Sequence, residues 1–165
     1  MATTAFKGNT VNTVGDLPEV GSTAPGIALT GTDLSDITSE QYAGRRVVLN
    51  IFPSVDTGVC ATSVRRFNEL AAGLDNTTVI NASHDLPFAL GRFCGAEGIE
   101  DVVSGSGFRT DFGSDFGVTM TDGPLAGLLA RSVVVLDGDG KVLYTELVPE
   151  ITQEPDYDAA IAALA

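Results

Sequence analysis

Residues 46–60 read RVVLNIFPSVDTGVC, a stretch that joins a strand directly to a helix. Its first part, Arg46 to Phe52, is a nearly continuous apolar run of strand-forming residues, which is typical of a strand covered on both faces. Pro53 ends this strand, because proline has no backbone N–H to donate to a sheet. The following segment, Val59 to Ala72, has apolar residues at helical spacing and predicts an amphipathic helix.

The rest of the chain continues the alternation of strands and helices. Thr77 to Ala82 predicts a second strand, and Leu86 to Cys94 predicts a second helix. Later, Gly138-Asp139-Gly140 separates two strand-forming stretches in the pattern of a β-hairpin, and an Ala-rich tail predicts a last helix. These last elements span Ser132 to Asp137, Lys141 to Val148 and Asp156 to Leu164. The order predicts an α/β fold of the thioredoxin-like type, a central mixed sheet flanked by helices.

The N-terminal segment predicts a small addition to this body. Ala5 to Val14 contains two short stretches around Gly8-Asn9, a turn dipeptide that suits an N-terminal β-hairpin. No internal repeat or linker interrupts the 165 residues. Residues 1–165 are therefore expected to form one domain.

Composition excludes several classes of partner. The net charge is −13 and the only lysines are Lys7 and Lys141, so no basic stripe can neutralise a run of phosphates, and nucleic acid is not expected. No apolar segment approaches the roughly 18 residues that span a bilayer, and no membrane association is expected. The first ten residues lack the features of a signal peptide, so we expect a cytoplasmic protein.

Two cysteines and one histidine also limit the chemistry. They fall short of the four ligands of a structural zinc site and cannot form the disulfide framework of a secreted protein. Neither a metal nor another cofactor is expected. Inert buried thiols and redox chemistry remain as the alternatives for the two cysteines.

Cys60 is the candidate reactive thiol. Asp56 or Thr57 suits the N-cap of the predicted helix, which places Cys60 in its first turn. Unpaired backbone N–H groups and the positive end of the helix dipole favour a thiolate there. A thiolate can attack a peroxide when the sulfur and both peroxide oxygens lie in line and donors meet the developing charge.

Three further residues are candidates for this site. Thr57 lies one turn before Cys60, so its hydroxyl can reach both the sulfur and a bound peroxide oxygen. Pro53 can cover the site with hydrocarbon and limit both water and further oxidation. Arg131 immediately precedes a predicted strand, and it is the candidate for a fixed positive charge, since ligands collect at strand ends in α/β sheets. Taken singly, Thr57 could be only a helix cap, Pro53 a strand stop and Arg131 a solvated strand end. Cys60 by itself could likewise be an inert core thiol.

The combination resembles a known family. Pro53-x-x-x-Thr57-x-x-Cys60 is the active-site pattern of peroxiredoxins, and residues 50–60 look like their thiol peroxidase subfamily in particular. Further blocks resemble this subfamily in the same order, so the resemblance covers nearly the whole chain. They are Asp85 to Ala89, Arg92 to Gly98, Asp122 to Leu128 and Glu150 to Tyr157. Some relatives carry a third cysteine where this chain has Asn81.

The resemblance implies an activity and the roles of the residues. It implies a thiol-dependent peroxidase that reduces hydrogen peroxide and alkyl or lipid hydroperoxides, is recycled by thioredoxin, and forms a homodimer. Cys60 would become a sulfenic acid, with Thr57 and Arg131 as polar partners and Pro53 as a shield. Cys94 would resolve the sulfenic acid through an intramolecular Cys60–Cys94 disulfide. Because the two residues lie on separate predicted helices, this reaction requires local unwinding around one of them.

Alternatives to this interpretation remain open on the sequence. The Cys60–Cys94 pair could form a permanent structural disulfide, although a reducing compartment opposes it. His84 could pair with a cysteine in a hydrolase-like dyad, or it could be a solvated loop residue beside Asp85. The two thiols could also belong to a redox sensor that changes state without turnover.

Overall fold

The computed structural model describes residues 2–165, which form a two-stranded hairpin and a seven-stranded sheet with helices. The strands are β1 (Thr3–Phe6), β2 (Asn9–Asn12), β3 (Ala28–Gly31), β4 (Asp36–Thr38), β5 (Arg46–Ile51), β6 (Thr77–Ser83), β7 (Val103–Ser106), β8 (Ser132–Leu136) and β9 (Val142–Leu147). The helices are α1 (Gly58–Ala71), α2 (Pro87–Glu97), α3 (Phe112–Asp115) and α4 (Tyr157–Ala162), with a 3₁₀ helix at Ser39–Tyr42. No helix in this part of the chain combines the length and apolarity that a membrane crossing requires.

The large sheet is mixed. Its strand order is β4-β3-β7-β6-β5-β8-β9, with β5, β6 and β7 parallel and the other pairs antiparallel. The parallel centre arises because α1 and α2 carry the chain back between successive strands. The predicted α/β class, with a mixed sheet flanked by helices and an N-terminal hairpin, is confirmed.

Both faces of the central strands are covered, as the apolar run at 46–52 predicts. On one face, Val48 packs with Phe67 of α1 and Ala160 of α4. On the other face, Leu49 packs with Phe112 and Phe116 around α3. Because side chains alternate along a strand, Val48, Asn50 and Phe52 face the α1 side together. This side carries the candidate thiol.

The N-terminal hairpin spans residues 3–12 rather than the predicted 5–14, and its turn lies one residue earlier than expected. The turn residues are Lys7 and Gly8, at φ 51° and 82°, rather than Gly8-Asn9, and Phe6 pairs with Asn9 across the turn. Both turn residues lie in the left-handed region, as a two-residue hairpin turn requires. The carboxylate of Glu150 stabilises this turn, since it accepts from the backbone N–H of Lys7 (3.2 Å) and of Gly8 (2.8 Å). A contact 142 residues away in sequence decides the position of the turn.

Candidate active site

Cys60 is fully buried in the first turn of α1. Thr57 is the N-cap residue, with extended backbone, and the first helical hydrogen bond runs from the Ala61 N–H to the Thr57 carbonyl. Backbone N–H groups that precede Ala61 therefore lack an acceptor within the helix. They are available to the Cys60 sulfur or to a bound anion, as the sequence predicts.

Arg131 contacts the Cys60 sulfur directly. Its Nη2 lies 3.2 Å from Cys60 Sγ, and its Nε donates to the carbonyl oxygen of Ile151 at 2.8 Å. The antiparallel pairing of Ile51 with Ser132 brings Arg131 to the end of β5, where the active-site loop begins. No sequence pattern carries this register, so the strand-end position made Arg131 a candidate and the family resemblance was needed to support it.

The guanidinium of Arg131 is only 1% exposed, and its Nη1 has no hydrogen-bond partner among residues 2–165. None of the ion pairs between described residues includes it. Burial of a cation without a carboxylate beside it destabilises a fold, and Cys60 Sγ is the side-chain atom that meets this guanidinium. The free Nη1 donor remains for a second oxygen or sulfur acceptor.

Thr57 is placed differently from the expectation. Its side chain is exposed at the rim, and its hydroxyl donates to the carbonyl oxygen of Ser54 at 3.1 Å rather than to the Cys60 sulfur. A hydroxyl has one proton to donate. Thr57 must therefore rotate away from Ser54 before it can donate to the sulfur or to a peroxide oxygen.

A cavity of about 290 Å³ lies between the N-terminal hairpin and the start of α1. Its lining includes Thr57 and Arg131 but not Cys60, whose sulfur Arg131 contacts. The apolar part of the lining consists of Phe6, Pro53, Val59, Leu125 and Ile151. The cavity therefore offers hydrocarbon walls and a cationic group next to the buried sulfur.

The hairpin side of this cavity is fixed by Glu150. Its carboxylate accepts from the backbone N–H of Thr152 (3.0 Å) as well as from those of Gly8 and Lys7. These bonds, with Thr152 foremost, lower the pKa of Glu150 to about 2. Lys7 and Thr152 both line the cavity, so one ionised carboxylate positions part of its wall.

Asp85 is a site residue that sequence reasoning missed. Its carboxylate accepts from the Ser54 hydroxyl (2.7 Å), the Val55 backbone N–H (2.9 Å) and the Ser83 hydroxyl (2.7 Å). It thus ties the loop before Cys60 to the end of β6. The available signal was its position just after the parallel neighbour of β5, because the carboxyl ends of parallel strands meet at one edge.

Cys94 lies on α2, half-buried against the apolar cluster that contains Cys60. This thiol cluster comprises Phe52, Val55, Cys60, Ala61, Val64, Leu90, Phe93 and Ile99. Both cysteines are free thiols, and Cys94 Sγ contacts Ser104 Oγ at 3.4 Å. The cysteines therefore share one patch of core between two helices, without a bond between them.

His84 is half-buried rather than solvated. Its Nδ1 lies 2.8 Å from the carbonyl oxygen of Gly127. Because a carbonyl can only accept, Nδ1 carries the proton. The described residues contain no group of three or more His, Cys, Asp or Glu side chains that could hold a metal ion.

Comparison with known proteins identifies the family. The model of the family described as Redoxin matches residues 19–161. The chain belongs to the redoxin family. Thiol peroxidases of Mycobacterium tuberculosis and Corynebacterium glutamicum are 62% and 61% identical to it over 164 residues, which cover 99% of each chain. A peroxiredoxin-like protein from Aquifex aeolicus superposes with a TM-score of 0.92 at 39% identity, covering 99% of this chain and 96% of that one.

These matches show a redoxin of the thiol peroxidase subfamily of peroxiredoxins, as the motifs predict, with the thioredoxin-like fold. A thiol peroxidase from Chromobacterium violaceum, at 22% identity and a TM-score of 0.91, supports the fold alone. The protein is therefore a thiol-dependent peroxidase, an enzyme that uses a hydroperoxide substrate and a thiol reductant.

Proposed function

We propose that Cys60 is the residue that attacks the hydroperoxide. The thiolate sulfur attacks the terminal peroxide oxygen, the O–O bond breaks, and Cys60 becomes a sulfenic acid while the departing alkoxide or hydroxide takes up a proton. The observation that carries this proposal is the buried Arg131, whose Nη2 meets the sulfur while its Nη1 has no partner among the described residues. The second donor is suited to a peroxide oxygen on which charge develops.

Thr57 and Pro53 complete this site in the proposal. The Thr57 hydroxyl, once rotated from Ser54, donates to the peroxide or the sulfur. Pro53 is buried in the cavity wall and contributes no donor, so it excludes water from the reacting atoms.

Cys94 then resolves the sulfenic acid within the same chain. Its sulfur attacks Cys60, an S–S bond forms, and the sulfenic hydroxyl leaves as water together with the Cys94 proton. The shared thiol cluster supports this pairing, because both cysteines already pack in one apolar patch. A dithiol reductant then restores both thiols, and we propose thioredoxin for this role in a cytoplasmic setting.

The substrates in this proposal include organic hydroperoxides as well as hydrogen peroxide. The support is the apolar lining of the cavity, since alkyl chains gain free energy when they leave water for such a surface. Steady-state kinetics with cumene hydroperoxide and hydrogen peroxide test this point. We expect Leu125→Asp to raise the KM for cumene hydroperoxide and to leave that for hydrogen peroxide nearly unchanged; equal effects on both would contradict it.

The test of the function is peroxide consumption with a thioredoxin system, followed by stopped flow. Many turnovers per enzyme, abolished by Cys60→Ser, support a thioredoxin-recycled peroxidase. A single stoichiometric oxidation under the same conditions would support the rival redox sensor. Turnover restored only by a different thiol would refute thioredoxin as the reductant and retain the peroxidase.

A homodimer is part of this proposal. Leu86, Phe88 and Phe108 are exposed by 51%, 69% and 44% of their surface. They lie in or beside the loops that follow the neighbouring strands β6 and β7, at one edge of the sheet. An exposed cluster of apolar side chains is typical of a protein–protein interface, and we propose that a second copy of the chain covers it. Light scattering should show that Phe88→Asp is monomeric, whereas Val20→Asp, at a valine elsewhere that is exposed by 62%, remains dimeric. A monomeric wild type would contradict the proposal.

A further inference from the structure

A buried polar ladder crosses the sheet beneath the two cysteine-bearing helices. The pairing of β5, β6 and β7 places Asn50 opposite Asn81 and Asn81 opposite Ser104. All three are buried, exposed by 0%, 1% and 8%. Asn50 Nδ2 donates to Asn81 Oδ1 at 3.0 Å, and Asn81 Nδ2 donates to Ser104 Oγ at 3.4 Å.

Each end of the ladder reaches a cysteine. At one end, Ser104 Oγ contacts Cys94 Sγ at 3.4 Å. At the other end, Asn50 Nδ2 contacts Ser63 Oγ at 3.4 Å, and the Ser63 hydroxyl donates to the Cys60 carbonyl oxygen at 2.8 Å. The ladder therefore joins the helical turn of Cys60 to the thiol of Cys94 through hydrogen bonds alone.

The bond between Ser104 Oγ and Cys94 Sγ can run in either direction, and the contact from Asn81 favours donation by Ser104. An amide nitrogen can only donate, so Asn81 Nδ2 fills an acceptor site of Ser104 Oγ. The Ser104 proton is then available to the Cys94 sulfur, and a hydroxyl that accepts one bond is a better donor in the next. Ser104 thus holds the Cys94 sulfur against the sheet.

Stability alone does not account for three polar residues at this place. The neighbouring positions on the same face, Val48, Phe52 and Val79, are apolar and fully buried. Asn50 Oδ1 moreover has no hydrogen-bond partner among residues 2–165, so the ladder carries an unsatisfied buried acceptor. Such a group destabilises a fold, which indicates that the ladder serves the chemistry of the thiols.

We propose that Ser104, oriented by Asn81, is a positioning residue that retains the Cys94 thiol in the reduced enzyme and slows its attack on Cys60. This inference rests on the proposed resolving role of Cys94. To form the S–S bond of about 2 Å, the Cys94 sulfur must leave Ser104, so the retaining hydrogen bond breaks in that step and not in the oxidation of Cys60. Slow resolution leaves the sulfenic acid exposed to a second peroxide, which oxidises it to the sulfinic acid.

The experiment mixes fully reduced enzyme with one equivalent of hydrogen peroxide and follows sulfenic acid and disulfide by rapid acid quench and mass spectrometry. In Ser104→Ala we expect disulfide formation about fivefold faster, the effect of one lost hydrogen bond, with an unchanged rate of Cys60 oxidation. Less sulfinic acid should accumulate at high peroxide. Asn81→Ser, which breaks the ladder in its middle, should act in the same direction and serves if Ser104→Ala folds poorly.

Two controls separate positioning from a general loss of stability. Ser104→Thr keeps the hydroxyl and should resemble the wild type. Ser106→Ala removes another buried hydroxyl from the same strand, one that accepts from the Phe108 N–H, and should also leave both rates unchanged. Equal or slower disulfide formation in Ser104→Ala would overturn the inference alone. A wild type that forms no Cys60–Cys94 disulfide would instead overturn the proposed function, and the inference with it.

Discussion

Among residues 2–165, Arg131 is the one charged side chain that donates a hydrogen bond to the buried Cys60 sulfur. Methionine at position 131 would fill a similar volume without donors. We expect Arg131→Met to lower the second-order rate constant for Cys60 oxidation by at least about 100-fold, since two donors to the reacting atoms are lost. The rate constant of Arg131→Lys should lie between those of the wild type and Arg131→Met. An ammonium retains the positive charge, but it cannot reproduce the planar fork of two donors.

Competition kinetics against a peroxide-consuming reference enzyme measure this constant, and circular dichroism checks the fold. Arg92→Met is the matched control, because Arg92 is an exposed arginine paired with Asp56 at 3.0 Å. It should remain within about twofold of the wild type, as surface ion pairs contribute little. An Arg131→Met enzyme as fast as this control would rule out the role given to Arg131.

Asp85 acts on the site through the loop before Cys60. Asp85→Ala leaves the Val55 N–H without its acceptor, and a displaced loop should slow Cys60 oxidation by up to about 100-fold. Asp85→Asn should retain most activity, because the amide oxygen can accept from Val55 while the amide nitrogen donates to Ser54 Oγ. The same competition kinetics test both variants; equal losses in the two would show that the negative charge matters rather than the position of the loop.

At the scale of elements, the proposed Cys60–Cys94 disulfide requires local unwinding of α1 or α2. An exposed ion pair joins the two helices at the surface, Arg65 with Glu97 at 2.8 Å. A second exposed pair, Arg92 with Asp56 at 3.0 Å, joins α2 to the loop before α1, and such pairs break at little cost in free energy. We expect the Cys60–Cys94 disulfide to form with faster amide exchange in the first turn of α1 or in α2. Hydrogen–deuterium exchange of reduced and oxidised enzyme measures this, with α4 as an internal control. Unchanged protection in both helices would refute local unwinding.

The N-terminal hairpin depends on an ionised Glu150. Its folded pKa, about 2, lies below the ordinary value of 4.5, so Glu150 stabilises the folded state above pH 4.5 and loses this contribution as the pH falls toward 2. Glu150→Gln should therefore melt at a lower temperature than the wild type at pH 7, and the difference should shrink as the pH falls below 4.5. Calorimetry across this range tests the prediction against Glu100→Gln, an exposed glutamate. A difference independent of pH would contradict it.

The elements that periodicity could predict are those with a long apolar pattern. Residues 46–52, 59–72 and 77–82 correspond to β5, α1 and β6 within one residue at each end. Strands β3, β4 and β7 have only three or four residues, and Val103–Ser106 contains no apolar alternation, so they were missed. Their places in the sheet are set by long-range pairing, which no local pattern carries.

At the scale of the whole molecule, the strand order of the sheet brings together active-site residues that are distant in sequence. Cys60, Thr57 and Pro53 could be found from one segment because a strand, a proline and a helix start lie next to each other in sequence. Arg131 immediately precedes β8 and Asp85 follows β6, the strands on either side of β5, and only the sheet register brings them to the loop. The assignment of Arg131 and the role of Cys94 depend on the family resemblance, whereas Asp85 and the polar ladder required the structure.

The catalytic cycle as a whole is tested most directly by locating the oxidised sulfur after a single turnover. Reduced wild type and Cys94→Ser are mixed with one equivalent of hydrogen peroxide in the presence of dimedone, digested, and examined by mass spectrometry. The account predicts an intrachain disulfide between the Cys60 and Cys94 peptides in the wild type, and one dimedone adduct on Cys60 in Cys94→Ser. An absence of the adduct on Cys60 in that variant, or a wild type that links Cys60 only to a second chain, would contradict it.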